Sequence, residues 1–190
     1  MILTRNTQTQ KQIYADMLTQ FPQNELKTFE QYKKLCEKEE YIVYNAMENN
    51  EQVGYIIIVE NKELKYIWID YLAVFKKFHS KGYGHKILKQ LSELYSNYNG
   101  CFLEVEKVNK EIPNTIRRVN FYESQGAIKQ PIDYYYPDYN EALPMDLYYF
   151  PYQEFSPITN ILNEIKFVFK ILHTDLNNTN EIYNKITLIV

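Results

Sequence analysis

Apolar positions along this chain keep two different periods, and the change between them divides it into elements. From Thr9 to Gln20, Ile13, Met17 and Leu18 recur at helical spacing, and Phe21-Pro22 ends that helix because proline disfavours helical geometry in the residue before it. Thr28 with Gln31 three residues on forms a capping box, which predicts a second helix through Tyr32 and Leu35 to about Lys38. The pattern then turns to β-forming runs, Tyr41 to Met47, Val53 to Val59 and Leu64 to Val74, separated by the polar turns Glu48 to Glu51 and Glu60 to Glu63. Runs at this distance predict an antiparallel meander, and Ile2 to Arg5 adds a short strand ahead of the helices.

Helical period returns from His79 to Tyr98, where Ile87, Leu88, Leu91, Leu94 and Tyr95 share a face. Cys101 to Glu106 is a short strand with Phe102, Glu104 and Glu106 on one side. A polar loop, Lys107 to Pro113, leads to a helix from about Asn114 to Gln125 that stops at Gly126, a natural position just past a helix end. Ala127 to Tyr136 and Leu143 to Phe150 read as a final antiparallel pair joined across Pro137 to Asn140. The predicted order is β-α-α-β-β-β-α-β-α-β-β. Ser156-Pro157 then starts another amphipathic helix, with Ile158, Ile161, Leu162, Ile165, Val168 and Leu172 on one face. Ile182 to Val190 fits a strand or a helix equally. Residues 1–150 form the expected domain and 151–190 an extension, helical at least in part, expected to pack on that domain.

Composition narrows the classes. A chain of 190 residues with 45% apolar positions suits one domain with an appendage. A net charge of −3 and no basic stripe remove the main driving force for nucleic-acid binding. No stretch approaches the ~20 apolar residues that cross a bilayer, and no basic segment followed by an apolar one opens the chain. A soluble cytoplasmic protein is expected, with neither nucleic acid nor membrane as partner. Cys36 and Cys101 lack a Cys-x-x-Cys spacing or a histidine cluster, so the expected chemistry is metal-free.

Two of only five glycines lie one residue apart, in Phe78-His79-Ser80-Lys81-Gly82-Tyr83-Gly84-His85, between an apolar strand and a helix. Amides opening a helix are unpaired and carry partial positive charge, so a phosphate or diphosphate fits there, with Lys81 and His85 to add charge or donors. A Rossmann fingerprint would need a third glycine where Ile87 stands, and the Gly-Lys-Ser/Thr of a Walker loop is absent. On spacing alone, a tight turn needing positive φ explains the glycines as well as an anion site does.

The order of elements decides between them. Two helices, an antiparallel meander, a Gly-x-Gly turn opening a helix, then strand, helix and strand pair resemble the GNAT (GCN5-related) superfamily of N-acyltransferases. The family turn, Arg/Gln-x-x-Gly-x-Gly/Ala, here reads His79-Ser80-Lys81-Gly82-Tyr83-Gly84. Arg117-Arg118-Val119-Asn120-Phe121-Tyr122-Glu123-Ser124-Gln125-Gly126-Ala127 is similar to the family's helix ending in Phe-Tyr before a glycine. The resemblance covers about residues 1–150 and implies an α+β, three-layer αβα fold around a mixed sheet. It also implies acetyl-CoA as acyl donor. The pantetheine would lie along Leu72, Ala73 and Val74, and the diphosphate on the turn from His79, Ser80, Lys81 and Gly82 to Tyr83, Gly84 and His85. Departures are His79 for the usual Arg or Gln, and Thr115 for the Asn commonly seven residues before the helix tyrosine. Asn109 keeps the family's distance from strand residues 103–105, as an insertion in the loop would leave it.

Acyl transfer to an amine needs a base for the ammonium proton, donors for the developing oxyanion and an acid for the leaving thiolate. Tyr122 matches the family position that often serves as acid, although Ile116, Val119 and Tyr122 also share a helical face suited to plain packing. The candidate bases rank Asp70, Glu104, then Glu106; a solvated face or an ion pair with Arg117 or Arg118 is the competing explanation, favoured for Glu106, and a water chain could replace direct proton removal. No histidine has a partner carboxylate at a catalytic spacing, and Cys101 is expected in the core. The resemblance puts the acceptor pocket beside residues 21–25 and 134–139, whose aromatics and acids suit a small cationic amine. The expectation is a bacterial-like N-acetyltransferase acting on a primary amine of a small molecule by direct transfer in a ternary complex. Two alternatives stay open, a non-catalytic acyl-CoA-binding or assembly module and a protein or peptide N-acetyltransferase, and so does a homodimer.

Overall fold

A computed structural model describes residues 1–6, 11–138, 142–153 and 161–189 of the chain. It divides into two compact units, residues 1–60 with 69–96 and residues 61–68 with 97–190. The fold is mixed α/β with mostly antiparallel strands and helices packed on them, as the sequence predicts.

The first unit starts with β1 (Ile2–Asn6), α1 (Lys11–Gln20) and α2 (Phe29–Cys36). The described part of α1 buries Ile13 and Met17, while Leu18, expected on the same face, is 56% exposed. Leu18 stands only one position from Met17, about 100° round the helix, and so turns outward. The capping box of α2 forms as expected, with Thr28 Oγ1 accepting from the Gln31 N–H and Gln31 Oε1 accepting from the Thr28 N–H. β2 (Tyr41–Glu48) and β3 (Glu51–Asn61) make an antiparallel hairpin whose turn residues Asn49 and Asn50 both take positive φ. β4 (Tyr66–Val74) follows, and within this unit the strand order is β1-β2-β3-β4. Residues 53–59 of β3 are buried without alternation, so both faces of that strand are covered.

α3 (Tyr83–Leu94) is shorter at both ends than its apolar period suggests. Ser80 and Gly82 have φ of 60° and 75°, which no α-helix accommodates, so His79–Lys81 stays in the turn. At the other end Leu94 is exposed, and the buried Tyr95 closes the helix with its hydroxyl 2.9 Å from that of Tyr44.

The second unit joins the start of β4, Tyr66–Trp68, to β5 (Gly100–Glu106), α4 (Pro113–Ser124), β6 (Ile128–Lys129), β7 (Ile132–Pro137) and β8 (Ala142–Pro151). Both β6 and β7 pair with β8, whereas the sequence predicts one strand over Ala127 to Tyr136. The break falls at Pro131, which has no N–H to give to a ladder. Rings of Tyr149, Phe102, Trp68, Tyr134 and Phe169 pack one on the next through the interior.

The extension contributes α5 (Ile161–Leu172), α6 (Thr179–Tyr183) and β9 (Thr187–Leu188). The proposed cap at Ser156-Pro157 lies outside the described residues. The final segment resolves as both kinds of element: α6 packs on β7, and β9 pairs with it antiparallel.

Glu164 of α5 is fully buried, with Oε2 accepting from Asn61 Nδ2 at 2.7 Å and Oε1 without a partner among the described residues. Burial pushes its carboxyl from 4.5 up to about 7. The folded state thus keeps a proton that the unfolded chain releases, and stability falls as pH rises across that window, by on the order of 3 kcal/mol, then levels off. Urea melts at about pH 5 and about pH 8 are expected to show this loss, and Glu164→Gln to flatten it.

Candidate active site

Site residues of the first unit gather where β4 runs into α3. Leu72 and Val74 are half-buried on one face of β4 while Tyr71 and Ala73 point into the core. The strand end is fixed by Gly54, where a Cβ would meet the Ala73 carbonyl oxygen at 2.3 Å. Only a glycine on β3 permits that approach. Gly54→Ala is expected to shift the end of β4 and cost about 1–3 kcal/mol, read as a lower Tm together with weaker coenzyme A binding.

After Val74 the chain makes a short 3-10 turn, Lys76–Phe78, and enters the glycine turn. Gly82 is the N-cap of α3 in left-handed geometry, and no side chain caps the helix. The first helical hydrogen bond runs from the Lys86 N–H to the Gly82 oxygen, so the preceding amides of Tyr83 and Gly84 have no intrahelical acceptor. A Cβ on Gly82 would meet nothing within 4 Å, so the space beside these donors is open. Uncapped N–H groups at a helix start with open space above them are what an anionic diphosphate requires. The residues present therefore fit the coenzyme.

His79 has a definite local role. Its Nε2–H donates to the Val74 carbonyl at 2.7 Å, and Gln20 Nε2 donates to the same oxygen at 3.2 Å. The imidazole thus ties the turn back to the strand it leaves. Lys81 folds over the turn, donating to the Lys77 carbonyl at 3.2 Å with its ammonium 5.5 Å from the Phe78 ring centre. Ser80 is exposed at positive φ, and the His85 side chain is exposed on the first turn of α3.

Asp70 is more enclosed than a solvated strand face would make it. Its side chain is 3% exposed, Lys27 Nζ lies 3.0 Å from Oδ1, and the Tyr41 hydroxyl donates to Oδ2 at 2.6 Å. Burial, reinforced by the Asp70 charge, raises the Tyr41 hydroxyl well above its ordinary value, so it remains a donor. Lys27 precedes the cap of α2, and its carbonyl accepts from the Tyr14 hydroxyl at 2.9 Å. The neighbouring 3-10 turn, Gln23–Glu25, is held by the Tyr71 hydroxyl at 2.7 Å from the Glu25 carbonyl oxygen. Asp70 therefore anchors the connection between α1 and α2. Sequence reasoning missed Lys27 and Tyr41 because each is far from Asp70 along the chain and no periodicity links them.

The second unit carries the other candidates. Glu104 is held through both oxygens, by the Trp68 indole at 3.4 Å and by a short bond from the Tyr134 hydroxyl. Tyr134, expected as pocket wall, is 1% exposed, and burial beside Glu104 raises its phenol well above the ordinary value. Tyr136 is also buried, edge-on to His173. Tyr139, named with them, lies outside the described residues. Glu106 pairs with Arg118 at 3.1 Å, the ion pair weighed against a basic role for it.

Tyr122 sits near the end of α4, half-buried, with its ring edge-on to Phe150 at 6.3 Å between centres. Asn109 and Thr115 turn onto each other. The Asn109 N–H donates to Thr115 Oγ1 at 3.0 Å, the Thr115 hydroxyl lies 2.8 Å from the Ile112 carbonyl oxygen, and Asn109 Oδ1 accepts from the Glu111 N–H at 2.9 Å. Together they close the loop that opens α4. Cys101 is fully buried, as expected of a core residue. No helix among the described residues is long and apolar enough to cross a membrane.

Comparisons with known proteins bear on these parts. No curated protein matches the chain. Among solved structures, a Bacteroides thetaiotaomicron protein described as a GNAT-family acetyltransferase aligns with TM-score 0.72 at 21% identity, over 86% of this chain and 90% of its own. The ribosomal-protein-S18-alanine N-acetyltransferase of Escherichia coli aligns with TM-score 0.57 at 16% identity, over 83% and 98%. An aminoglycoside 6′-N-acetyltransferase complexed with coenzyme A aligns with TM-score 0.59 at 14% identity, over 82% and 99%. At such identities the likeness is one of fold. The family model "Acetyltransferase (GNAT) family" matches residues 10–127, from the first helix through the glycine turn to the end of α4. That span exceeds half the chain and includes both motif segments; the chain belongs to the GNAT family of acetyltransferases and is an acyltransferase.

Proposed function

We propose that the protein transfers an acetyl group from acetyl-CoA to a primary amine of a small molecule, directly and within a ternary complex. The observation that carries this reading is the uncapped start of α3 at Gly82, the next helix after the strand that would receive the pantetheine and joined to it by a short turn. Coenzyme A in the related aminoglycoside enzyme supports the choice of donor, and that enzyme's acceptor supports a small molecule. Residues 1–150 would form the acyltransferase domain, with residues 151–190 as an extension.

Acetyl-CoA supplies the activated acyl carbon and a thiolate leaving group. The Tyr83 and Gly84 amides hold the diphosphate, with the dipole of the twelve-residue α3 behind them contributing partial positive charge. Leu72 and Ala73 offer backbone groups to the pantetheine; the Val74 carbonyl is already filled by His79 and Gln20. Tyr122 protonates the departing sulfur. Glu104 receives the ammonium proton, directly or through a water, because its partners Trp68 and Tyr134 are neutral donors, whereas the Asp70 charge is already balanced by the Lys27 ammonium. Trp68 and Tyr134 keep the Glu104 carboxylate in one orientation while it does so.

Acetylation of a protein terminus is the second reading, and the alanine-directed Escherichia coli relative favours it. A thiol-release assay with acetyl-CoA and separate pools of polyamines, amino sugars and peptides tests both. Turnover on free amines but not on peptides is expected; the reverse selects the protein acceptor. Coenzyme A binding without turnover on any pool would leave a binding module.

A further inference from the structure

The second unit contains a cavity of about 270 Å³ at the C-terminal end of α5, beyond the residues matched by the family model. Its apolar surface comes from Phe169, Leu176 and Tyr183. Lys166 and Lys170, one turn apart on α5, line it, and no carboxylate residue among the described residues does. Neither lysine has an ion-pair partner among the described residues; the Lys166 ammonium lies 5.9 Å from the Tyr183 ring centre. We infer that this cavity is a binding site for a small organic anion, an apolar or aromatic body bearing one carboxylate or phosphate.

The chemistry of the lining supports an anion over a cation or a neutral guest. Two lysines line the space, each carrying a full positive charge, against the fraction of a negative charge that the last carbonyls of α5 supply. Those carbonyls are partly satisfied from within, because the His173 N–H donates to the Phe169 oxygen and the Thr179 hydroxyl lies 3.2 Å from the His173 oxygen. Asn180 adds an amide at the rim. The floor is rigid: Phe169 is 2% exposed and packs edge-on against both His173 and Tyr183. A volume of 270 Å³ falls just under the range for drug-sized ligands, which sets the guest at roughly one ring with its charged group. An apolar floor rimmed by two lysines gives such a guest burial for its body and charge-assisted partners for its anionic group.

Calorimetry on the full chain tests the site, with coenzyme A present at saturation so that the glycine turn does not take up the probe. Benzoate and phenyl phosphate separate the carboxylate from the phosphate case, and benzyl alcohol is the neutral control. One of the two anions is expected to bind with a Kd below about 1 mM, and the alcohol to bind at least ~10-fold more weakly. The double variant Lys166→Gln/Lys170→Gln changes two exposed side chains; its Tm is expected to match the parent, and its affinity for the anion to drop about 10-fold or more. No heat from either anion, equal binding of benzyl alcohol, or undiminished binding by the double variant would overturn the inference.

Discussion

Asp70→Ala is expected to lower stability by about 3–5 kcal/mol, a large share of what a domain of this size has. Lys27 is only 8% exposed, and removing its counter-ion leaves an ammonium charge in the interior whose lost hydration the Tyr71 ring, 5.1 Å away, offsets only in part. Tyr41 loses its acceptor in the same step. The combined substitution Lys27→Met/Asp70→Leu takes both charges away and is expected to restore most of the loss, since apolar groups of similar size replace a buried pair at little cost. Denaturant midpoints of the three proteins measure this. A base with no structural duty would behave differently: Asp70→Ala would abolish turnover and leave the midpoint where it was.

Tyr122→Phe is expected to reduce kcat by about 10²–10⁴-fold with coenzyme A affinity nearly unchanged. The phenylalanine keeps the ring against Phe121 and Phe150, and the hydroxyl proposed as proton donor is removed. Thiol release under saturating acetyl-CoA and amine gives kcat, and a thermal melt confirms the unchanged fold. Retention of full turnover would reduce Tyr122 to a wall residue, the packing role that its shared face with Val119 already suggests.

Local chemistry is what the sequence made legible. The Thr28–Gln31 box, the Asn49-Asn50 turn region and the stop of α4 at Gly126 each depend on residues a few positions apart, and each is found where its spacing puts it. The glycine turn was visible for the same reason, though not that Ser80 and Gly82 would cut the helix short at its start. What stayed hidden depends on long-range contact. Strand alternation and the family resemblance rank Asp70 first among the bases, and neither says anything of Lys27, 43 residues away, or Tyr41, 29 away. Thr115 looked like a replacement for a ligand-binding asparagine, yet its hydroxyl is spent on the loop. Likewise nothing near Tyr134 in the sequence announces its bond to Glu104, 30 residues away, or its burial.

The pairing of β9 with β7 has a practical side. Ile132 and Asp133 would otherwise present open hydrogen-bonding groups along a strand flanked by buried aromatics, and Thr187 and Leu188 cover them, with the Ile189 N–H continuing onto the Pro131 oxygen. An uncovered margin of that kind is a template for the next molecule. Trimming the chain after α6 for expression would therefore trade a few residues for a sticky seam, with precipitation as its first symptom.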